Sequence, residues 1–424
     1  MEINEKLLKE LQTLIKIASA KNYELNLVTV INILQEHNFD LANFTDIIQF
    51  FTQSGITLIA DDVEVEDLDT ETVSEKLKPF DQTKIDIAMK AMTLDLIIKR
   101  LQNNEINLMP DFQRKAGLWK GQKKSRLIES LILRIPLPAF YFDGTNDEDW
   151  LIIDGLQRLT AIKEFFVDRT LRLEGLEFLG DYEDCTITEL PRTYIRRMEE
   201  TQIIAYKINP GTPISVKYNI FKRINTSGLE LEPQEIRHAL FQGNATKFLK
   251  KLAESEAFRL ATGESIKSDR MLDREFVLRF IAFRQLGIEN FVEGMDHFLN
   301  QAMELLNQYD DQELVDLENK FALAMNLARE VFGDKAFRKV FSKNNRRNPI
   351  NIALFETWSV IFSLLETKDI RKLQDNKSKL FDRFKSEMDT NTTFATQDLN
   401  SAKKHAIAHR YEMIRKIVRE VINS

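Results

Sequence analysis

Apolar residues recur at helical spacing through the first sixty positions, at Leu8, Leu11, Leu14 and Ile15 and again at Val30, Ile31 and Leu34. Residues 44–55 read as another short helix with Gly55 as its stop, and the apolar run 56–60 reads as a strand. The pattern then breaks: seven of the eleven residues from 61 to 71 are acidic. Residues 1–60 are therefore expected to form a small acidic helical domain, and 61–81 a solvated linker.

From 82 to 215 helical and strand periods alternate. Residues 122–133 form an amphipathic helix with Leu127, Ile128, Leu131 and Ile132 on one face. Pro136 and Pro138 end it, and 139–142 reads as a strand. The polar loop 143–149 turns the chain back into the strand 150–154. After Gly155 a helix should run to Phe166, buried through Leu159, Ile162 and Phe166. Residues 216–424 read almost entirely as helices, with Gly228 and Gly243 at stop positions and Pro233 near a start. The fold class this predicts is α+β: a small helical N-terminal domain, a mixed core over 82–215 and a large all-helical part over 216–424.

Composition adds limits. Hydrophobic residues make up 43% of the 424 and charged residues 29%, the balance of an ordinary globular chain. The single cysteine, Cys185, rules out an intramolecular disulfide and a cysteine-rich zinc cage. Residues 1–10 are charged, with no apolar segment of the signal-peptide kind after them. The most apolar later stretch, 352–365, is interrupted by Glu356 and too short to span a bilayer. A cytoplasmic protein with no membrane partner is expected. The net charge of −7 is unevenly spread: residues 1–75 hold 4 Lys/Arg against 15 Asp/Glu, so the body is mildly basic.

The chemistry concentrates at three places. At Asp154-Gly155-Leu156-Gln157-Arg158 a strand runs through a glycine turn into a helix, an arrangement that can cradle phosphate with Arg158 as a planar clamp. The same spacing also fits an aspartate cap followed by a surface arginine. Upstream, residues 114–126 carry six basic side chains and no acidic one. Lys123, Lys124 and Arg126 open the amphipathic helix, where cations oppose the helix dipole, so either a polyanion partner or a solvated basic face accounts for them. Downstream, Arg223, Asn225, Glu235 and Arg237 could converge as a polar wall or lie exposed.

The runs FQRKAGLW, KKSRLIESLILRIPLPAFYF, IIDGLQRLTAI and FKRINTSGLELEPQEIRHALF, in that order over about 82–285, resemble the N-terminal domain family of GmrSD-type restriction endonucleases. That family lies in the ParB/sulfiredoxin-like superfamily and carries a DGQQR box. The resemblance implies an α+β core that binds and, in several members, hydrolyses a nucleoside triphosphate with Mg2+. It also implies phage defence, with phage and base-modified DNA as a target and a partner effector subunit. Asp154, Gly155, Gln157 and Arg158 match the box, with Leu156 in place of its first glutamine. Gln113 and Arg114 match the family's FQR element, and Arg223 with Asn225 its F-x-R-x-N element. Asp154, Gln157 and Arg158 are thereby implied as catalytic; Gln113, Arg114, Lys123, Lys124, Arg126, Gly155, Arg223 and Asn225 are candidates for phosphate or DNA binding. The N-terminal piece is similar to region 1.1 of primary bacterial sigma factors, through LQTLIKIASAKNY and FTDIIQFFTQSGITLIADD.

The chain has five histidines, and His405 and His409, four apart on a helix, are crowded by Lys403, Lys404 and Arg410. Neither a metal site there nor a self-contained HNH nuclease centre is expected, and there is no P-loop, G-x-S-x-G or HExxH motif. Three functions stay open at this point. They are an NTP-hydrolysing defence enzyme, a nuclease or glycosylase acting directly on modified DNA, and a non-catalytic DNA-binding or regulatory module.

Overall fold

The computed structural model describes residues 86–108, 119–224, 231–268, 270–292, 294–343 and 347–424, together with 24–26, 51, 57–59 and 65–66. The chain divides into two compact units, Met1–Glu66 and Asp67–Ser424. In the first, Glu24–Asn26 and Thr57–Ile59 pair as parallel strands, the latter inside the run expected to be extended. The helices expected over 1–55, the linker 61–81, Gln113, Arg114, Asn225 and Gly228 lie outside the described residues, apart from the short segments and the buried Phe51 just named.

The second unit is built on a five-stranded mixed sheet of β1 (Ile87–Thr93), β2 (Ile106–Asn107), β3 (Phe140–Asp143), β4 (Trp150–Asp154) and β5 (Gln202–Ile208), in the order β1-β5-β3-β4-β2. β1 runs antiparallel to β5, β5 parallel to β3, β3 antiparallel to β4, and β4 parallel to β2. Helices α1 (Leu94–Gln102), α2 (Gly121–Ile132), α3 (Leu156–Ile162), α4 (Arg192–Glu199), α5 (Ile214–Ile224) and α6 (Pro233–Leu240) accompany the sheet. Beyond them the described chain is almost wholly helical. It continues as α7 (Asn244–Ala253), α8 (Glu256–Thr262), α9 (Leu272–Gln285), α10 (Met295–Gln308) and α11 (Asp311–Phe332), then α12 (Ile352–Ser363), α13 (Thr367–Asp375), α14 (Lys377–Thr390), α15 (Thr392–Thr396) and α16 (Lys404–Ile422). The architecture is α+β with a large helical C-terminal region.

The amphipathic helix lies at Gly121–Ile132, one residue from its expected bounds, and buries the four apolar residues that defined it. The strand at Trp150–Asp154 coincides with its expected span. The helix after Gly155 continues past Phe166 as expected, but Lys163–Val167 widens into a π turn closed by the Asp168 N–H on the Lys163 carbonyl at 2.9 Å. The boundary expected at 215/216 falls in the first turn of α5, and Tyr218, Phe221, Ile236 and Ala239 share one apolar core with the sheet. α12 accounts for the apolar stretch 352–365: it is buried along its whole length, and Glu356 pairs there with Arg410 and Arg279. Among the described residues no helix is long and apolar enough to cross a membrane.

Glu129, on the buried side of α2, shapes the loop beyond α3. Its carboxylate accepts the backbone N–H groups of Glu177, Phe178 and Leu179 at 3.0, 2.7 and 2.9 Å. Burial alone would raise its pKa, but these three donors outweigh it and hold the carboxyl below its usual range. A depressed carboxylate stabilises the fold above the ordinary glutamate range, and that contribution disappears as pH falls through the lowered value. Glu129→Gln should therefore lower the unfolding free energy at neutral pH by about 1–3 kcal/mol. Urea titrations at stepped pH should show the gap to the parent chain closing as the solution is acidified.

Candidate functional site

β4 ends at Asp154, and Gly155 turns the chain into α3 with φ at +102°. A side chain is excluded there on two grounds. The backbone lies in the left-handed region, and an added Cβ would stand 2.5 Å from the Phe140 ring. The turn therefore follows from its sequence: a β-branched strand, an aspartate at its end, and a glycine where nothing else fits.

Arg158, one helical turn on, folds back over this junction. Its Nη2 donates to Asp154 Oδ2 at 2.8 Å and to the Ala139 carbonyl at 3.2 Å, while Nη1 donates to the Pro138 carbonyl. The guanidinium carbon lies 4.5 Å from the Phe140 ring centre. Arg158 is thus buried and binds the end of β4 to the entry of β3. These donors serve the protein's own oxygens, which makes Arg158 the residue that positions Asp154. Burial pushes Asp154 above the usual carboxylate range against the pull of Arg158 and the Gly155 N–H, and the side chain keeps 25% of its exposure. The site thus holds a fixed, partly wet carboxylate with raised proton affinity, one that can accept a proton or bind a hard cation.

Gln157 faces the other way along the same turn. Its Oε1 accepts the Trp119 N–H at 3.1 Å, tying α3 to the approach to α2. Across β3, Tyr141 is the strand partner of Asp154, and its ring stacks on Tyr206 of β5 at 4.9 Å. Burial raises the Tyr141 hydroxyl pKa, helped by Tyr206 and by the Asp154 charge. Residue spacing singled out neither tyrosine, although the AFYF run upstream of the turn carried the first.

The hairpin that sets the position of β4 is pinned from α5 and from within the sheet. Asp143 accepts from the Thr145 N–H at 3.0 Å and from Lys217 Nζ of α5 at 2.8 Å, and this ion pair is buried on both sides. Asp147 accepts from Lys207 Nζ at 2.8 Å and from the Trp150 indole at 3.2 Å.

Three cations of the 114–126 segment find partners within the fold. Lys124 Nζ lies 2.7 Å from Glu164, Arg126 Nη1 lies 2.7 Å from Glu177, and Lys123 Nζ sits 4.6 Å from the Trp119 ring centre. Arg223 is exposed on the last turn of α5, where a cation complements the helix dipole. Glu235 and Arg237 do not join it in a wall beside the turn. Glu235 accepts the Glu232 N–H at the start of its own helix, at 2.7 Å. Arg237 is fully buried and turns toward α10, donating to Asn300 at 3.1 Å and also to Asp296. The sequence did not show that α6 is covered on that side by α10, so residues that looked exposed are interior. His409 Nδ1 pairs with Asp398 Oδ2 at 2.6 Å, and among the described residues no cluster of three or more His, Cys, Asp or Glu side chains is arranged to hold a metal.

The sheet, the glycine turn and α2 through α6 define a mixed α+β domain organised around a strand-end aspartate. Residues 97–242 match the family model described as GmrSD restriction endonuclease, N-terminal domain. This segment of the chain is similar to that family's domain, in the stretch where the order of its motifs pointed. No curated protein matches the chain.

The geometry separates the two ends of the motif. Arg158→Ala removes a buried cation from one carboxylate and two carbonyls, and should cost about 3–5 kcal/mol of stability. Gly155→Ala should cost about 1–3 kcal/mol for the forbidden φ alone. Asp154→Asn keeps an oxygen for Arg158 and should leave the denaturation midpoint close to that of the parent. An Arg158→Ala chain as stable as the parent would contradict a guanidinium buried across the β3–β4 junction.

Proposed function

We propose that the chain is a phage-defence protein of the restriction type whose 97–242 domain binds a nucleoside triphosphate with Mg2+ and hydrolyses it. Turnover would be coupled to recognition of DNA, including base-modified phage DNA, in the cytoplasm and together with a partner effector subunit. The observation that carries this reading is Asp154 itself. Within a restriction-endonuclease family domain, the end of a central strand presents one carboxylate that is fixed by Arg158 and still partly open to water. Mg2+ takes one or two protein carboxylates and fills its remaining positions with water and phosphate oxygens, which is what a single held aspartate offers.

The roles divide accordingly. Asp154 orients the metal or the attacking water, and Arg158 keeps that carboxylate in place. Gln157 holds the Trp119 backbone and so couples α3 to the segment carrying Gln113 and Arg114. Those two residues and Asn225, with Gly155, Lys123, Lys124, Arg126 and Arg223, are assigned to phosphate or DNA contacts on motif order. Leu156, standing where the family box has an amide, cannot position water.

The test is phosphate release by the purified chain from each of the common nucleoside triphosphates, with and without Mg2+. Turnover should need the metal and fall by at least about a hundredfold in Asp154→Asn. With Asp154 raised by burial in the free protein, the acid limb of the kcat/KM profile, which reports the free enzyme, should lie above the ordinary aspartate range. Nicks or abasic sites in modified phage DNA without nucleotide turnover would instead support an enzyme acting directly on DNA. No binding and no turnover would sink the proposal.

A further inference from the structure

β4 carries one residue more than β3 beside the glycine turn. Tyr141 pairs with Asp154 and Phe142 with Ile152, which leaves Ile153 as the extra residue of a β-bulge. Strict alternation would put Asp154 on the face of Trp150 and Ile152, which are buried in the core with Phe142. The bulge turns it onto the face of Tyr141 instead. Tyr141 stands opposite Tyr206 of β5, and Tyr206 opposite Met89 of β1. Asp154, Tyr141, Tyr206 and Met89 therefore form one line across four adjacent strands. At a strand spacing of about 4.8 Å, the carboxylate lies about 10 Å from the Tyr206 position and about 15 Å from that of Met89.

α5 closes this face on one side of the line. Asp143 is taken there by Lys217, and its β5 partner Ile208 is buried. Toward β1 the face opens: Met89 is 65% exposed, Ile204 46% and Ile87 37%, and Ala91, the partner of Ile204, is exposed as well. The Tyr141 and Tyr206 rings stack with their centres 4.9 Å apart and their planes within 17°, and both side chains are partly exposed. Among the described residues neither hydroxyl makes a hydrogen bond. Among them, too, β1 is an edge strand paired with β5 alone. Apolar side chains left open on an edge strand add little to the core and invite unwanted pairing, so the stability of the sheet does not account for them.

We propose that this line is the base and sugar subsite of a nucleoside triphosphate. The base lies on the side of the Tyr206 ring away from Tyr141, against Met89, and the phosphates extend to Asp154. A ring face and a thioether hold a flat π system by stacking and dispersion. The two strand spacings between Asp154 and Tyr206 suit a ligand with phosphate at one end and a ring at the other. The two free hydroxyls stand between them, where they can donate to the sugar or the phosphates. The groups beside the base meet its face and not its edge, so the common nucleoside triphosphates should bind within about tenfold of one another, purines the tighter for their larger stacked area. The subsite rests on the nucleotide half of the function proposed above.

The test is calorimetric titration of the full chain, in Mg2+, with the β,γ-imido analogues of ATP and GTP and with inorganic tripolyphosphate, which has phosphates but no base or sugar. Tyr206→Ala combined with Met89→Ala should weaken both analogues by about tenfold or more and leave tripolyphosphate within about threefold of the parent. Tyr206→Phe keeps the ring and should hold nucleotide affinity within about threefold. Methyl NMR of the methionines, with the Met89 signal assigned from Met89→Ala, reports contact directly. The ring current of the base should move that signal when either analogue is added, and tripolyphosphate should not. If Tyr206→Ala prevents folding, the Met89 signal and Met89→Ala, a change at an exposed side chain, decide the matter. A Met89 signal unmoved at saturating analogue, equal weakening of analogue and tripolyphosphate, or analogues that bind no tighter than tripolyphosphate would overturn the subsite and leave the metal–phosphate role of Asp154 standing. A parent chain that binds none of the three would overturn both.

Discussion

The structure of the site depends on one guanidinium. Arg158 takes up the carboxylate at the start of its own turn and two backbone carbonyls 19 and 20 positions upstream, and it does so while buried. A buried arginine is tolerated only where its donors are met, and a half-buried aspartate gains where a cation balances its charge. Each meets the other's need, and the Pro138 and Ala139 carbonyls complete the set. The consequence is geometric: the end of β4, the entry of β3 and the first turn of α3 move as one piece, and Asp154 stays at the sheet edge in one orientation.

The rest of the domain supports that piece from behind. Lys217 reaches from α5 to Asp143 on the β3–β4 hairpin, and Tyr218 and Lys222 of the same helix reach Asp296 of α10 at 2.9 and 2.7 Å. Burial opposes the charge on Asp296, but Arg237 and Lys222 outweigh it and hold the carboxyl below its usual range. Polar contacts from the two sides of α5 therefore join the hairpin to the helical region. This gives the site a physical connection to the helices beyond residue 242.

Much of this was legible in the sequence where local rules decide the outcome. The run WLIID followed by glycine specified a strand, its end and a tight turn, and the helical spacing of Leu127, Ile128, Leu131 and Ile132 specified α2 to within a residue. The ordered motifs of the family resemblance lie largely in the stretch 97–242 that the family model matches. What stayed hidden was set by distant contacts. Spacing alone left Arg158 open as a surface residue, because nothing local shows that the Pro138 and Ala139 carbonyls point at it. Lys217 carries no motif, yet it closes a buried pair 74 residues from its partner. Arg237 looked polar and exposed because α10, which covers it, lies about sixty residues further on. The cations of α2 suggested a polyanion, and what the sequence did not show is that the fold brings Glu164 and Glu177 beside Lys124 and Arg126.

The central claim is that Asp154 is a carboxylate held for a metal–nucleotide ligand, with its proton affinity raised by burial in the meantime. The most direct measurement is a pH titration of the Asp154 side-chain carbon by NMR, with and without Mg2+ and a slowly hydrolysed triphosphate analogue. The midpoint should lie above the ordinary aspartate range in the free protein and fall clearly when the metal and nucleotide bind beside it. A midpoint in or below the ordinary range that ignores the ligand would contradict the claim.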